Sequence, residues 1–323
     1  MSAGLRRKLA EVLALVLVLA VLVVFFGLST EHFLSLPTLR TVANQMPETL
    51  LVAVGMTYVL IIGCIDLSIG SVSGLSGAVV GACMLRFHVP LPLSVLAGVA
   101  VGAACGLVNG LTIVRWSLPS FIVTLGMLEA ARGGAYLAAD SKTAYLGAPV
   151  ERLADFGVGG LSLPFIIAIT VVAAAQGVLV RSVFGRYLVA IGTNEEAVRL
   201  SGINPKPVKV AVFLISGTLA GLASLSALTR LGAADPNSGI GLELSAIAAV
   251  VIGGTSLQGG RGSVVNSALG VLIIGVLDNG LAQMGAQEPS KRLVTGAVIV
   301  GAVILDYYRT RLGRRERMET RDA

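Results

Sequence analysis

Apolar residues fall in long blocks divided by short polar segments, and the block lengths predict helices that cross a bilayer. The first run, at about 9–28, follows Arg6, Arg7 and Lys8. It begins like a signal peptide, but it is long and has no A-x-A cleavage pattern after it, so it reads as the first span. A loop with His32, Pro37 and Arg40 leads to the second span at 48–65. The interrupted stretch GCIDLSIGSVSG then opens a third run to Leu85. Further spans fall at 91–114, 121–137, 161–180 and 208–231, with a short eighth at 242–252 that breaks into GGTSLQGGRGS. Runs at 264–284 and 293–307 bring the expected number to ten. Ten spans of about 20 residues consume roughly 200 residues, so only short loops remain. The expected fold is all-α: a polytopic membrane protein of about ten transmembrane helices, several of them glycine-interrupted. Residues 1–323 form one transmembrane domain, with a cytoplasmic stub at 1–8, a basic loop at 181–209 and a basic tail at 308–323.

The 181–209 loop is a polar island that predicts its own helix over 194–201. Thr193 and Glu196 have the spacing of a capping box, in which the hydroxyl accepts an orphan N–H and the carboxylate reaches back. Gly202 suits a left-handed C′ position with Ile203 near Val198, as in a Schellman ending, and Pro205 and Pro207 stop any continuation. Such a helix of roughly two turns is too short to stand alone in water. Ala197, Val198 and Leu200 give it an apolar side for docking, either on this chain's own surface or on a soluble partner.

Composition agrees with the pattern. The 323 residues are 55% hydrophobic and 13% charged, with a mean hydropathy of +0.87; a soluble domain carries about twice that charge. Forty glycines suit helices packed through small residues. The net charge of +6 records membrane topology rather than nucleic-acid binding. With ten spans, sixteen of the 24 Lys and Arg fall in inner segments and seven in outer loops, which places both termini and the 181–209 loop in the cytoplasm. Cys64, Cys83 and Cys105 lie in apolar runs without C-x-x-C spacing, and His32 and His88 have no second ligand nearby, so neither disulfides nor metal sites are expected.

No G-K dipeptide exists, hence no phosphate-binding Walker loop. Neither acidic proton relays nor an arginine ladder appears, and no Ser/His or His/Asp/Glu constellation marks an intramembrane enzyme. Any ATP hydrolysis must therefore belong to another chain. Polar residues within the apolar runs are the candidates for a translocation path or for stitching helices together: Asn44, Asp66, Ser68, Asn109, Asp278 and Asn279. Glu129 and Arg132 are spaced to pair on one helix face, which reads as a structural ion pair rather than a substrate site.

Four stretches resemble the permease subunits of bacterial ATP-binding-cassette importers for ribose, xylose and similar sugars. They are VGMTYVLIIGCIDLSIGSVSGLSG at 54–77, LPSFIVTLGMLEAARGGAYL at 118–137, FGRYLVAIGTNEEAVRLSGI at 184–203, and AIAAVVIGGTSLQGGRGSVVNSALGVLIIGVLDNGLAQMG at 246–285. The resemblance implies a homodimeric inner-membrane channel, separate ATPase subunits that use the ATP, no cofactor in this chain, and a periplasmic binding protein that delivers the sugar. It also implies that the 181–209 loop couples to the ATPase through Gly185, Arg186, Gly192, Asn194, Glu195, Glu196, Arg199, Leu200 and Gly202. Family members usually carry a neutral amide where this chain has Asp278, a difference that bears on sugar preference if the position faces the path. Related permeases for branched-chain amino acids or nucleosides are the nearest alternative; a secondary transporter, which needs no ATPase, is a more distant one.

Overall fold

A computed structural model describes residues 3–287, 289–298, 300–301 and 304. Twelve helices run through them: α1 Ala3–Ser29, α2 Leu36–Gln45, α3 Pro47–Ile61, α4 Ile69–Leu85, α5 Leu91–Trp116, α6 Ser120–Ala138, α7 Ala148–Asp155, α8 Leu163–Arg181, α9 Val183–Leu200, α10 Lys206–Leu231, α11 Leu242–Ile252 and α12 Val264–Gln283. Five of the described helices are long and apolar enough to cross a membrane, and α3, α4 and α11 are shorter apolar helices. The first nine expected spans each meet a helix within a few residues. The tenth falls largely outside the described residues, which are helical over 289–298, and the 308–323 tail lies wholly outside them.

Two connections hold structure that hydropathy did not reveal. The loop before the second span contains α2, started by Ser35, whose hydroxyl accepts the Thr38 N–H, and by Pro37 in its first turn. The 138–160 loop holds α7, and two-residue strands pair antiparallel: β1 Ala144–Tyr145 with β4 Ala233–Ala234, and β2 Gly157–Val158 with β3 Leu161–Ser162. Both segments are polar and short, so they carry no hydropathy signal.

α3 is apolar on every side and buried along nearly its whole length, which makes it the central helix. α10 packs on it and on α5. The α5–α10 contact is made by glycines: Gly102, Gly106 and Gly110 recur every fourth residue and bring the backbone of α5 against that of α10, while Gly98, one turn earlier, packs on Ser76 and Val80 of α4. A Cβ on Gly102 would stand 2.9 Å from Gly221 Cα, and one on Gly106 3.0 Å from Gly217 Cα. Close backbone approach of this kind replaces the hydrophobic effect as the packing force between helices in lipid. At the rim, α1 leans on α12 by seating Phe26 over Gly280.

The bundle has two distinct ends. At one, Arg230 meets Glu48 at 3.2 Å, β1 pairs with β4, and Asn44 bridges the Gly160 carbonyl at 3.1 Å and the Ser162 N–H at 2.9 Å. At the other end lie α9, the α5–α6 turn and Lys209, whose Nζ reaches Glu195 at 2.5 Å.

Candidate functional site

α3 and α11 both stop inside the bundle, and both stop the same way. At Gly63 (φ +73°) the Cys64 N–H donates to Val59 O at 3.0 Å and the Gly63 N–H to Leu60 O at 2.9 Å. At Gly254 (φ +82°) the Thr255 N–H donates to Val250 O at 3.2 Å and the Gly254 N–H to Val251 O at 2.8 Å. These are Schellman endings, with glycine in the left-handed position.

After the first stop, side chains satisfy the exposed backbone. Ser120 Oγ accepts the Ile65 N–H at 3.0 Å and Thr124 Oγ1 accepts the Leu67 N–H at 3.1 Å, both from the first turns of α6. Asp66 is buried (1% exposed) and accepts from Ser68 N–H at 3.0 Å, Ser68 Oγ at 2.6 Å and Ser216 Oγ of α10 at 2.9 Å. Asn109 of α5 donates through Nδ2 to Ser68 Oγ at 3.0 Å. One carboxylate thus ties the break to α5 and α10, and among the described residues no cation pairs with it. Irregular backbone at membrane depth is tolerated only when satisfied by protein in this manner.

The second break, 253–263, is held by backbone and by hydroxyls: Thr255 Oγ1 lies 3.5 Å from Ser267 Oγ, to which Thr57 Oγ1 of α3 donates at 2.8 Å. Ser256 N–H donates to Arg261 O at 3.1 Å, and Gly260 N–H donates to Ile61 O at 2.8 Å. Gln176 of α8 accepts the first free donors of α12, Val264 N–H at 2.9 Å and Val265 N–H at 3.3 Å. The two breaks meet at a joint of glycines: Gly192 of α9 lies directly on Ile61 O, and a Cβ on Gly259 would stand 2.8 Å from Gly192 O and 3.0 Å from Gly63 N.

α9 continues from that joint to the surface. It is two helical segments divided at Asn194, which is extended (φ −163°, ψ 97°). The capping box expected from Thr193 and Glu196 is not formed. Asn194 Oδ1 caps the second segment by accepting the Ala197 N–H at 2.9 Å, because the chain turns one residue later than the spacing suggests. Thr193 Oγ1 instead donates back to Val189 O at 2.7 Å, within the first segment. Glu196 pairs with Arg199 at 2.6 Å, and the hydrogen bond from that guanidinium holds its carboxyl below the usual range. The Schellman ending is as expected: Gly202 (φ +85°) sits past the last turn, with Ile203 N–H on Val198 O at 3.3 Å. Val198 faces inward, while Leu200 is 77% exposed beside Arg199. The two-turn helix is therefore only the outer half of α9; the inner half, with Leu188 and Ile191 buried, is part of the bundle. Gly185 is also buried there, against Leu179 O, while Arg186 is exposed.

Of the polar intramembrane candidates, Asp66, Ser68 and Asn109 come together, and the others do not join them. Asn44 stitches α2 to β3. Asn279 accepts from Gln283 at 3.2 Å, and Asp278 is exposed on α12 with Thr295 donating to it at 3.4 Å. The expected Glu129–Arg132 ion pair is absent. Arg132 Nη1 donates to Pro236 O at 2.6 Å and Ser238 O at 3.0 Å, two carbonyls of the turn before α11 that outcompete a carboxylate on the solvent-facing side of α6. Ser120, Thr124, Gln176 and Ser216 were not singled out in the sequence. Each is a lone polar residue in an apolar run, and only contact across helices gives it a role.

A bundle of apolar helices long enough to cross a membrane, with two helices that stop inside it and join a surface helix, has the build of a multi-pass membrane transport component. Comparison with known proteins agrees. The family described as branched-chain amino acid transport system / permease component matches residues 38–303. The ribose import permease protein RbsC of Escherichia coli K12 is 38% identical over 293 residues, covering 89% of this chain and 91% of that protein. The D-allose transport system permease protein AlsC of the same organism is 36% identical over 293 residues (90% and 89%), and the fructose import permease protein FrcC of Rhizobium meliloti is 34% identical over 308 residues (93% and 85%). The chain belongs to this permease family: it is a multi-pass inner-membrane transport subunit and not an enzyme.

Proposed function

We propose that this chain is the membrane permease of an ATP-binding-cassette importer for a monosaccharide of the ribose or xylose kind. Two copies enclose the path, a periplasmic binding protein delivers the sugar, and separate ATPase subunits supply the energy, so no cofactor resides in this chain. The cargo reading is supported by the relatives, which are import or transport permeases named for ribose, D-allose and fructose. The energy-coupling reading is carried by the glycine joint. The outer half of α9 presents Glu195, Glu196, Arg199 and Leu200 at the surface, while its inner half lies on Ile61 and Gly260, the residues that link both membrane breaks. A partner that seats this helix in a groove and moves it acts directly on both interrupted helices, the rigid-body amplification expected of a two-state transporter. The α9 end is the cytoplasmic one, on the excess of Lys and Arg there, and both termini lie on the same side.

Reconstitution of the chain with its ATPase and binding protein tests the reading. ATP-dependent uptake of labelled sugar is expected with all three components, and none with the permease alone. Single cysteines at Ala148 and Asn194 should label from opposite faces of the membrane; labelling from one face would overturn the topology. Because the family description names branched-chain amino acids, the binding protein should be screened against pentoses, hexoses and leucine by thermal shift. Stabilisation by leucine alone would replace the sugar reading.

A further inference from the structure

α6 runs from the α9 end of the bundle to the other end, and Glu129 stands midway, about 14 Å of helix from either terminus. Its side chain is exposed on the surface of the subunit, and no ion pair joins it to any described residue. A carboxyl group at that depth faces packed protein or water, because lipid offers it no hydrogen-bond partner.

The rest of the face identifies which. Arg132, Gly133 and Tyr136 succeed Glu129 on the same side at helical spacing. Arg132 is anchored to the 236–238 turn, and Tyr136 donates to Asn237 Oδ1 at 2.7 Å, so polar groups continue from the helix centre to the outer turn. The places where Gly126 and Gly133 would carry a Cβ have nothing within 4 Å, so this side of the helix is open. Toward the α9 end the same side becomes apolar, with Leu125 49% and Ile122 53% exposed. The polar side chains Glu129, Arg132 and Tyr136 thus stand on the outer half of this face and the apolar Leu125 and Ile122 on the half toward α9, with Leu137 (80% exposed) at the outer rim. A polar track ending on an apolar base is the lining of a funnel rather than of a uniform lipid contact.

We infer that this face of α6 is one wall of a water-filled vestibule that opens at the end opposite α9. Glu129 is the polar group at its floor, and Leu125 and Ile122 form the apolar closure beneath. The solute it receives is a neutral polyhydroxylated molecule. The carboxylate accepts from its hydroxyl groups, and the Nε and Nη2 donors of Arg132, which have no hydrogen-bond partner among the described residues, offer bonds to its oxygens one turn above. The inference rests on the sugar-importer reading and adds to it the group that meets the sugar within the membrane.

The test uses the complete transporter with Cys64, Cys83 and Cys105 replaced by alanine. Single cysteines are introduced as Glu129→Cys, as Ser141→Cys in the loop beyond α6, and as Leu96→Cys on the exposed apolar face of α5. A membrane-impermeant methanethiosulfonate ammonium reagent is added on the side from which position 141 labels. Labelling is expected at 129 and 141 and not at 96. A cysteine at 129 that resists the reagent both without nucleotide and in the ATP-trapped state overturns the vestibule. In parallel, Glu129→Gln, which preserves size, is expected to slow uptake of labelled D-ribose on the order of 10-fold at unchanged membrane abundance. Uptake equal to the parent's overturns the role of the carboxylate. Labelling is read without transport, so failure of the unmodified transporter to import D-ribose would count against the importer reading alone.

Discussion

The two membrane breaks share a backbone ending and differ in how the chain beyond it is held. After Gly63 the chain is pinned by side chains from α5, α6 and α10, with a buried carboxylate at the centre. After Gly254 it is held by its own backbone, by Gln176 and by the uncharged hydroxyls of Thr57, Thr255 and Ser267, with Gly259 and Gly260 at positive φ. Side-chain hydrogen bonds fix a position because each one is lost if the segment shifts. Backbone and glycine contacts leave a segment few barriers to rearrangement, since glycine adopts either sign of φ with similar ease. The break with the buried carboxylate is the firmer anchor, the glycine-bearing one is the more rearrangeable hinge of the pair, and α9 touches the point where they join.

The largest effect should come from the joint itself. Gly192→Val puts a side chain into Ile61 O and Gly260 N, which forces the two breaks apart. Uptake should vanish, and stability should fall by about 1–3 kcal/mol from overpacking, read as a lower detergent melting temperature. A fully active valine variant would mean that α9 does not work through this contact.

Next comes the anchor. Asp66→Ala strands the Ser216 and Ser68 hydroxyls in a buried site, at about 1–3 kcal/mol for each unsatisfied group. Asp66→Asn retains an acceptor and should cost less than the alanine variant. Equal melting temperatures for the parent and Asp66→Ala would remove the distinction between anchor and hinge. On the hinge side, Gln176→Ala removes the acceptor for two N–H groups of α12, and about 1–3 kcal/mol applies to the buried Val264 donor alone, because Val265 is exposed.

The smallest change in stability, with a large change in function, is expected at the outer half of α9. Asn194→Ala removes the cap, at about 0.5–2 kcal/mol. Glu196→Arg breaks an exposed pair with Arg199 that solvent screens, so stability should hardly change. Both variants should reach the membrane at normal abundance while binding-protein-stimulated ATP hydrolysis is lost. Parental hydrolysis in both would reduce this helix to a connector.

Much of this arrangement was legible before the fold. Spans with long apolar runs appear within a few residues of their expected places because length and hydropathy alone decide whether a helix suits a bilayer. The helix ending at Gly202 was also legible, since one residue's freedom at positive φ sets it. The start of that helix was not. Thr193 and Asn194 are both good capping residues, and the choice between them falls to where Gly192 is held against Ile61.

Residue pattern alone establishes that this is a polytopic helical membrane protein and that glycines interrupt its apolar helices near 63 and 254. Those features depend on local hydropathy and on the backbone preferences of single residues. Only the tertiary structure decided how the polar residues are used. Asp66 meets Ser216, and Arg132 leaves Glu129 for two carbonyls, because hydrogen bonds between helices are fixed by packing across long sequence separations. Spacing along one helix says nothing about what the neighbouring helix presents.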